Sequence, residues 1–261
     1  MAKKKKSLLW SFVKGTGRAI AYVGKGIGRG IKKGVEVHNI RSNPVYSVEA
    51  KVEGFTMVKK IKGDYDSFVK RLANDSLIVL VFGRRGSGKS ALGFRILENI
   101  HAETKRKCFV LGMEKIVFPK WITSVQDVDD VENNGVLLVD EGAISFSSRE
   151  SMSKNNKDLS KLLAIARHKN LTVLFITQNT GMVDKNILKL SDLLLIKQGS
   201  LLQQEMERAE IQKFYKQAEV HMNKLSGDMR QYVYLIDSDF EGIVSHTLPS
   251  FWSEKISKNR A

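Results

Sequence analysis

The octapeptide Gly83-Arg84-Arg85-Gly86-Ser87-Gly88-Lys89-Ser90 constrains this sequence of 261 residues more than any other stretch. It follows an apolar run, Leu77 to Phe82 (LIVLVF), and fits the P-loop pattern G-x-x-x-x-G-K-[ST] at every fixed position. Glycines let a backbone turn sharply enough to aim its N–H groups at phosphate oxygens. The same spacing lets Lys89 reach the β- and γ-phosphates and puts the Ser90 hydroxyl where it can ligate Mg2+. Ala91 to Ile100 reads as a helix whose positive end faces those phosphates. A plain Gly/Ser turn needs neither the strand before it nor the helix after it. All eight residues are therefore candidate ligands of a nucleoside triphosphate.

Charge is informative once it is located. The formal net charge is +15, and residues 1–35 supply ten of those charges with no acidic residue among them. Such an arm calls for an anionic partner: nucleic acid, a lipid headgroup surface or an acidic protein face. Seven glycines between Gly15 and Gly34 weaken a helix there. Yet at 100° per residue Lys14, Arg18, Lys25, Arg29 and Lys32 share one narrow face, and Phe12, Ile20, Val23, Ile27 and Ile31 share the opposite one. The pattern reads as a basic amphipathic helix, with a disordered basic tail as the plainer alternative. Lys14 interrupts the apolar stretch Leu8 to Val13, which argues against a signal peptide. The single cysteine, Cys108, excludes an intramolecular disulfide and fits an intracellular protein. No apolar run reaches the roughly 18 residues of a membrane-spanning helix.

Beyond the arm, Pro44 opens a segment, Val45 to Val52, whose loose alternation reads as a strand. Asp64 reads as the cap of a helix through Leu72 with Phe68, Val69 and Leu72 on one face. Short apolar strands are expected at Cys108–Leu111, Gly135–Val139, Leu171–Thr177 and Leu193–Ile196. Helical patterns lie between most of them, the clearest being Asp158–His168. Continuous apolar strands alternating with helices imply an α/β fold with a mostly parallel sheet covered on both faces. Val125 to Val131 is acidic and reads as surface. Leu201 to Leu225 reads as one long charged helix, followed by a strand at Gln231–Ile236. Leu248-Pro249-Ser250-Phe251-Trp252 reads as a tail docking its aromatics on the domain. We therefore expect an arm at 1–40 and a domain at 41–261, with its core at 77–200 and a helix–strand extension at 201–261.

Val136-Leu137-Leu138-Val139-Asp140-Glu141 ends an apolar strand with two acids about fifty residues after the loop. Strand C-termini of a parallel sheet open on the ligand crevice. Asp140 there can hold Mg2+ together with Ser90, and Glu141 can act as general base on the attacking water. The next strand ends in Thr177-Gln178. If that strand lies between the other two, the Gln178 amide reaches the γ-phosphate. The catalytic candidates are thus Lys89, Glu141 and Gln178, and the implied cofactors are ATP and Mg2+. His101, His168 and His221 show no metal-ligand spacing.

The stretch Ala166 to Gln178, ARHKNLTVLFITQ, resembles the RH…TQ strand of the FtsK–HerA superfamily of DNA-translocating ATPases. The nearest resemblance is to viral genome-packaging ATPases and zonula occludens toxin-like assembly ATPases. It covers roughly Leu77 to Lys197, with the loop, the Asp-Glu strand end and the Arg-His…Thr-Gln strand in that order. The resemblance implies a RecA-like sheet, a homo-oligomeric ring (commonly a hexamer), ATP hydrolysis, and movement of double-stranded DNA. Lys89, Ser90, Asp140, Glu141 and Gln178 take the family's roles. An arginine finger would come from Arg149, Arg167, Arg84 or Arg85, and the polar stretch 145–157 reads as a loop able to contact phosphates in a pore. Toxin-like members usually carry a transmembrane segment, which puts packaging or DNA transfer ahead here. The alternative is a membrane-associated assembly or secretion ATPase acting on protein. Residues 1–35 would tether the chain to DNA, a portal protein or a membrane surface, inside the host cell or with the virion.

Overall fold

A computed structural model describes residues 41–113, 116–140, 161–178, 185–253 and 256. The basic arm, Glu141, Arg149 and the 145–157 loop lie outside the described residues. The chain divides into two units at Ser47/Val48. In the first, the described residues include a single 3-10 turn, Pro44–Ser47. The strand expected over Val45–Val52 is therefore absent; the Asn43 side chain accepts from the Val45 N–H at 3.0 Å and sets a turn where a ladder would begin.

The second unit holds a nine-stranded sheet. Its strands are β1 (Thr56–Gly63), β2 (Ile78–Phe82), β3 (Cys108–Leu111), β4 (Ile122–Val125), β5 (Val136–Asp140), β6 (Thr172–Thr177), β7 (Leu193–Ile196), β8 (Tyr232–Asp237) and β9 (Phe240–Ser245). Their order is β1-β9-β8-β7-β2-β6-β5-β3-β4. From β7 to β4 all neighbours are parallel, and β8, β9 and β1 continue the sheet antiparallel. The helices are α1 (Tyr65–Asn74), α2 (Lys89–Thr104), α3 (residues 161–168), α4 (Lys185–Leu190), α5 (Leu201–Met206) and α6 (Ala209–Met222).

Every residue of β2, β5, β6 and β7 is buried, as a parallel sheet covered on both faces requires. One face carries Leu80, Phe82, Leu137, Val173 and Phe175 against Leu162, Leu163 and Ala166 of α3 and Ile211, Tyr215 and Ala218 of α6. Phe82 meets Tyr215 edge-on at 5.3 Å. On the other face α2 approaches so closely that a Cβ at Gly93 would lie 2.7 Å from Ile176 and 2.8 Å from Leu138. Asp64 caps α1, as expected, accepting from the Asp66 N–H. At the N-terminal edge of the parallel strands the Arg106 guanidinium bonds the Asp75, Asn134 and Gly135 carbonyls and the Thr172 hydroxyl, tying β3, β5 and β6 to the end of α1.

Two other expectations are corrected. The long helix over Leu201–Leu225 is two helices, broken where Glu207 and Arg208 are extended. The Gln212 side chain bonds the Glu205 and Glu207 carbonyls and so satisfies the end of α5. Val125–Val131 is not wholly surface: Val125 ends β4, and Val128 and Val131 are buried beneath an exposed Asp129 and Asp130.

The C-terminal tail does dock. Phe251, 3% exposed, meets Phe94 of α2 at 5.8 Å and Trp121 at 5.4 Å, both edge-on. Phe251→Ala should lower stability by about 3–5 kcal/mol, the usual cost of emptying a buried aromatic site; urea unfolding of the full chain checks it.

Candidate nucleotide-binding site

The loop leaves β2 at its C-terminal end. Gly83, Gly86 and Gly88 have φ of 151°, 75° and 89°, a region where side chains are strained. Space adds a second reason at two of them. A Cβ on Gly83 would sit 2.7 Å from the Lys197 Cβ, and one on Gly88 would sit 2.8 Å from the Arg230 carbonyl oxygen. Gly88 caps α2, so the uncapped N–H groups of that helix open onto the loop. The Lys89 ammonium is folded back to donate to the Gly83 and Arg84 carbonyls, each at 2.8 Å. Ser87 is buried, and its hydroxyl finds no hydrogen-bond partner among the described residues.

β6 lies between β2 and β5, which brings three strand ends together. Arg85, Gly86, Gly88, Lys89, Ser90, Asp140 and Gln178 line one cavity of about 940 Å³. Ser90 and Asp140 are both nearly buried. Gln178 is exposed at the end of β6, where its carbonyl accepts from the Gln203 side chain of α5 at 2.6 Å. The two loop arginines separate. Arg85 lines the cavity, whereas the Arg84 guanidinium donates to the Gln198 side chain at 2.8 Å. Arg167 is exposed at the end of α3, before β6 begins, and so at the sheet edge opposite the loop of its own chain.

Sequence reading missed the support beneath the loop. Lys197, just past β7, is fully buried, and its ammonium donates to the Arg230 carbonyl at 2.6 Å, the Tyr232 carbonyl at 2.8 Å and the His246 Nε2 at 2.9 Å. His246 Nδ1 lies 3.0 Å from the Thr247 carbonyl, so Nδ1 carries the proton and Nε2 is the acceptor. Burial, reinforced by Lys197, drives the His246 pKa down to about 3 and keeps the ring neutral. Burial also pulls Lys197 down to about 7; the nearby Lys89 adds to that pull and Asp228 resists it. The only signal in the sequence was a lysine directly after an apolar strand, which ordinarily marks a surface.

A P-loop between a central parallel strand and a helix, with one strand inserted before the acid-ended strand, decides the architecture. The fold is that of a RecA-like P-loop NTPase. The zonular occludens toxin (Zot) family model matches residues 117–195, a stretch that holds β5 and β6. No curated protein matches. Solved structures that resemble the chain include the DNA-packaging ATPase B204 of Sulfolobus turreted icosahedral virus, at 18% identity and TM-score 0.48, covering 67% of this chain and 99% of that one. The B204 packaging NTPase of Sulfolobus turreted icosahedral virus 2 bound to AMP has 16% identity and TM-score 0.44, covering 67% and 99%. A KaiC-like protein of Pyrococcus horikoshii OT3 has 14% identity and TM-score 0.43, covering 78% and 100%.

Two outcomes test this site. Lys89→Ala should abolish measurable nucleotide affinity in a calorimetric titration, and unchanged affinity would remove the loop from the site. For Lys197, an unfolded lysine keeps its proton to about pH 10.4, whereas the native one releases it near 7. Between those values the unfolded chain binds more protons, so this group makes stability rise with pH across that window. Lys197→Met should flatten the rise in urea titrations run from pH 6 to 10.

Proposed function

We propose that this chain is an Mg2+-dependent ATPase that drives movement of double-stranded DNA, in viral genome packaging or DNA transfer, as a ring of its own copies. The observation that carries the reading is the convergence of Lys89, Ser90, Asp140 and Gln178 on one cavity at three adjacent strand ends. The loop N–H groups, the Ser87 hydroxyl and the end of α2 receive the phosphates, and Lys89 exchanges its two carbonyl partners for β- and γ-oxygens. Ser90 and Asp140 offer the hard oxygen donors that would hold Mg2+. Held there, the ion would supply neutralisation of the charge on the phosphate oxygens. Glu141, next to Asp140, serves as general base for water. Gln178 holds the γ-phosphate and, through its carbonyl, passes its position to Gln203 of α5. Arg85 is the loop arginine placed to touch phosphate; Arg84 orders the loop. A nearly acid-free basic arm and the Arg167-His168…Thr177-Gln178 strand support DNA as the substrate moved.

A second reading, a membrane-associated assembly or secretion ATPase acting on protein, is favoured by the apolar stripe of the arm and by the zonular occludens toxin match. ATP turnover with and without duplex DNA separates the two. DNA should raise turnover, and Glu141→Gln should bind ATP yet hydrolyse it about 100-fold more slowly, the usual lower range for a lost general base. Full turnover in Glu141→Gln would remove that residue from catalysis. Turnover indifferent to DNA, with liposome co-sedimentation that depends on residues 1–35, would replace the first reading by the second.

A further inference from the structure

The cavity over the Gly83–Ser90 loop offers more room than three phosphates fill, and part of its wall comes from the C-terminal part of the chain. Gln231, His246, Thr247, Leu248 and Trp252 line it. Trp252 is half-buried, its ring tilted against Phe94 at 6.2 Å, one turn of α2 beyond Ser90. Neither its indole N–H nor the Gln231 side-chain amide makes a hydrogen bond among the described residues. Leu248, which lines the same cavity, is 58% exposed.

This wall is held rigidly for a tail segment. Arg95 and Glu98 of α2 form a buried ion pair at 3.0 Å, 1% and 0% exposed at their side chains. Each has bonding capacity left over, and both turn it on the tail. The Arg95 guanidinium donates to the Leu248 carbonyl. Glu98 accepts from the Ser250 N–H at 2.9 Å and from the Ser250 hydroxyl. The Thr247 hydroxyl donates to Glu53, which also pairs with Arg95 at 3.3 Å. The helix that presents the loop thus also fixes Leu248 and Trp252 relative to it.

We propose that Trp252, Leu248 and Gln231 form the nucleobase subsite of this cavity, taking a purine whose phosphates lie on the loop. The indole and the Leu248 side chain offer apolar surface to the face of the base. The Gln231 amide, with both a donor and an acceptor, serves its edge. The proposal rests on reading the loop as a triphosphate cradle, and its test is arranged to tell the two apart.

Calorimetric titration of the full chain with ATP and with inorganic tripolyphosphate provides that test. Trp252→Ala should weaken ATP about tenfold, the scale of one lost base–aromatic stack, and leave tripolyphosphate unchanged. Trp252→Phe should retain ATP affinity to within about twofold, since a ring remains. Leu248→Ser, at an exposed position that folding does not need, should weaken ATP severalfold and spare tripolyphosphate. Equal loss of both ligands in Trp252→Ala, or unchanged ATP affinity in both Trp252→Ala and Leu248→Ser, overturns the subsite while the cradle stands. A wild-type chain that binds neither ligand overturns the cradle and the subsite together.

Discussion

A row of backbone N–H groups can hold phosphate only if its two ends cannot drift. Each glycine that makes the loop possible also makes it floppy, so rigidity has to come from the flanks. On one flank β2 is bonded on both sides, to β6 and to β7, and every one of its residues is buried. On the other, α2 lies so near the sheet that Gly93 has no room for a methyl group. Beneath the loop, the Lys197 backbone and Cβ press on Gly83, while its ammonium holds the residues after α6 and the end of β9 in place. The antiparallel half of the sheet, which carries no loop chemistry of its own, is what supplies those residues.

The segment after β7 touches the loop and the strand-end glutamine at once. Gln198 bonds Arg84 through both side chain and backbone, and five residues later Gln203 bonds the Gln178 carbonyl. Between them Ser200 caps α5, which fixes the spacing of the two contacts. One short, capped element thus contacts both the loop and the end of β6. The apolar side chains of α5, Leu201, Leu202 and Met206, face outward at more than 70% exposure.

How much of this was legible in the sequence follows from how local each cause is. β3 and β7 lie where the apolar runs CFVL and LLLI put them, because four continuous apolar residues bounded by polar ones leave little choice. That the loop and Asp140 lie at strand ends could be read because each directly follows or ends an apolar run in sequence. β4 escaped because Ile122-Thr123-Ser124-Val125 is short, half polar and at an edge. The break between α5 and α6 was hidden because Glu207 and Arg208 are good helix formers, and the Gln212 bonds to the Glu205 and Glu207 carbonyls, made across the break, are not legible in sequence. Lys197 and His246 could not be found at all, and Trp252 could be read as a docking aromatic but not as a wall of the cavity. They come to the cavity through the order β7-β8-β9 and the path of the tail over α2, and no spacing in the chain gives the strand order or that path.

One consequence concerns how the sheet ends. β1 is its last strand, and it carries Lys59, Lys60 and Lys62 within eight residues, with two register shifts against β9. Among the described residues, only Lys62 of the three makes a close ion pair, with Glu241 at 2.8 Å. A charged, irregular border of this kind repels a second border laid alongside it. Extension of the sheet through β1 by another strand is thereby disfavoured. Of the two edges of the sheet, β1 and β4, this one is closed to strand-by-strand extension by its own charge and irregularity.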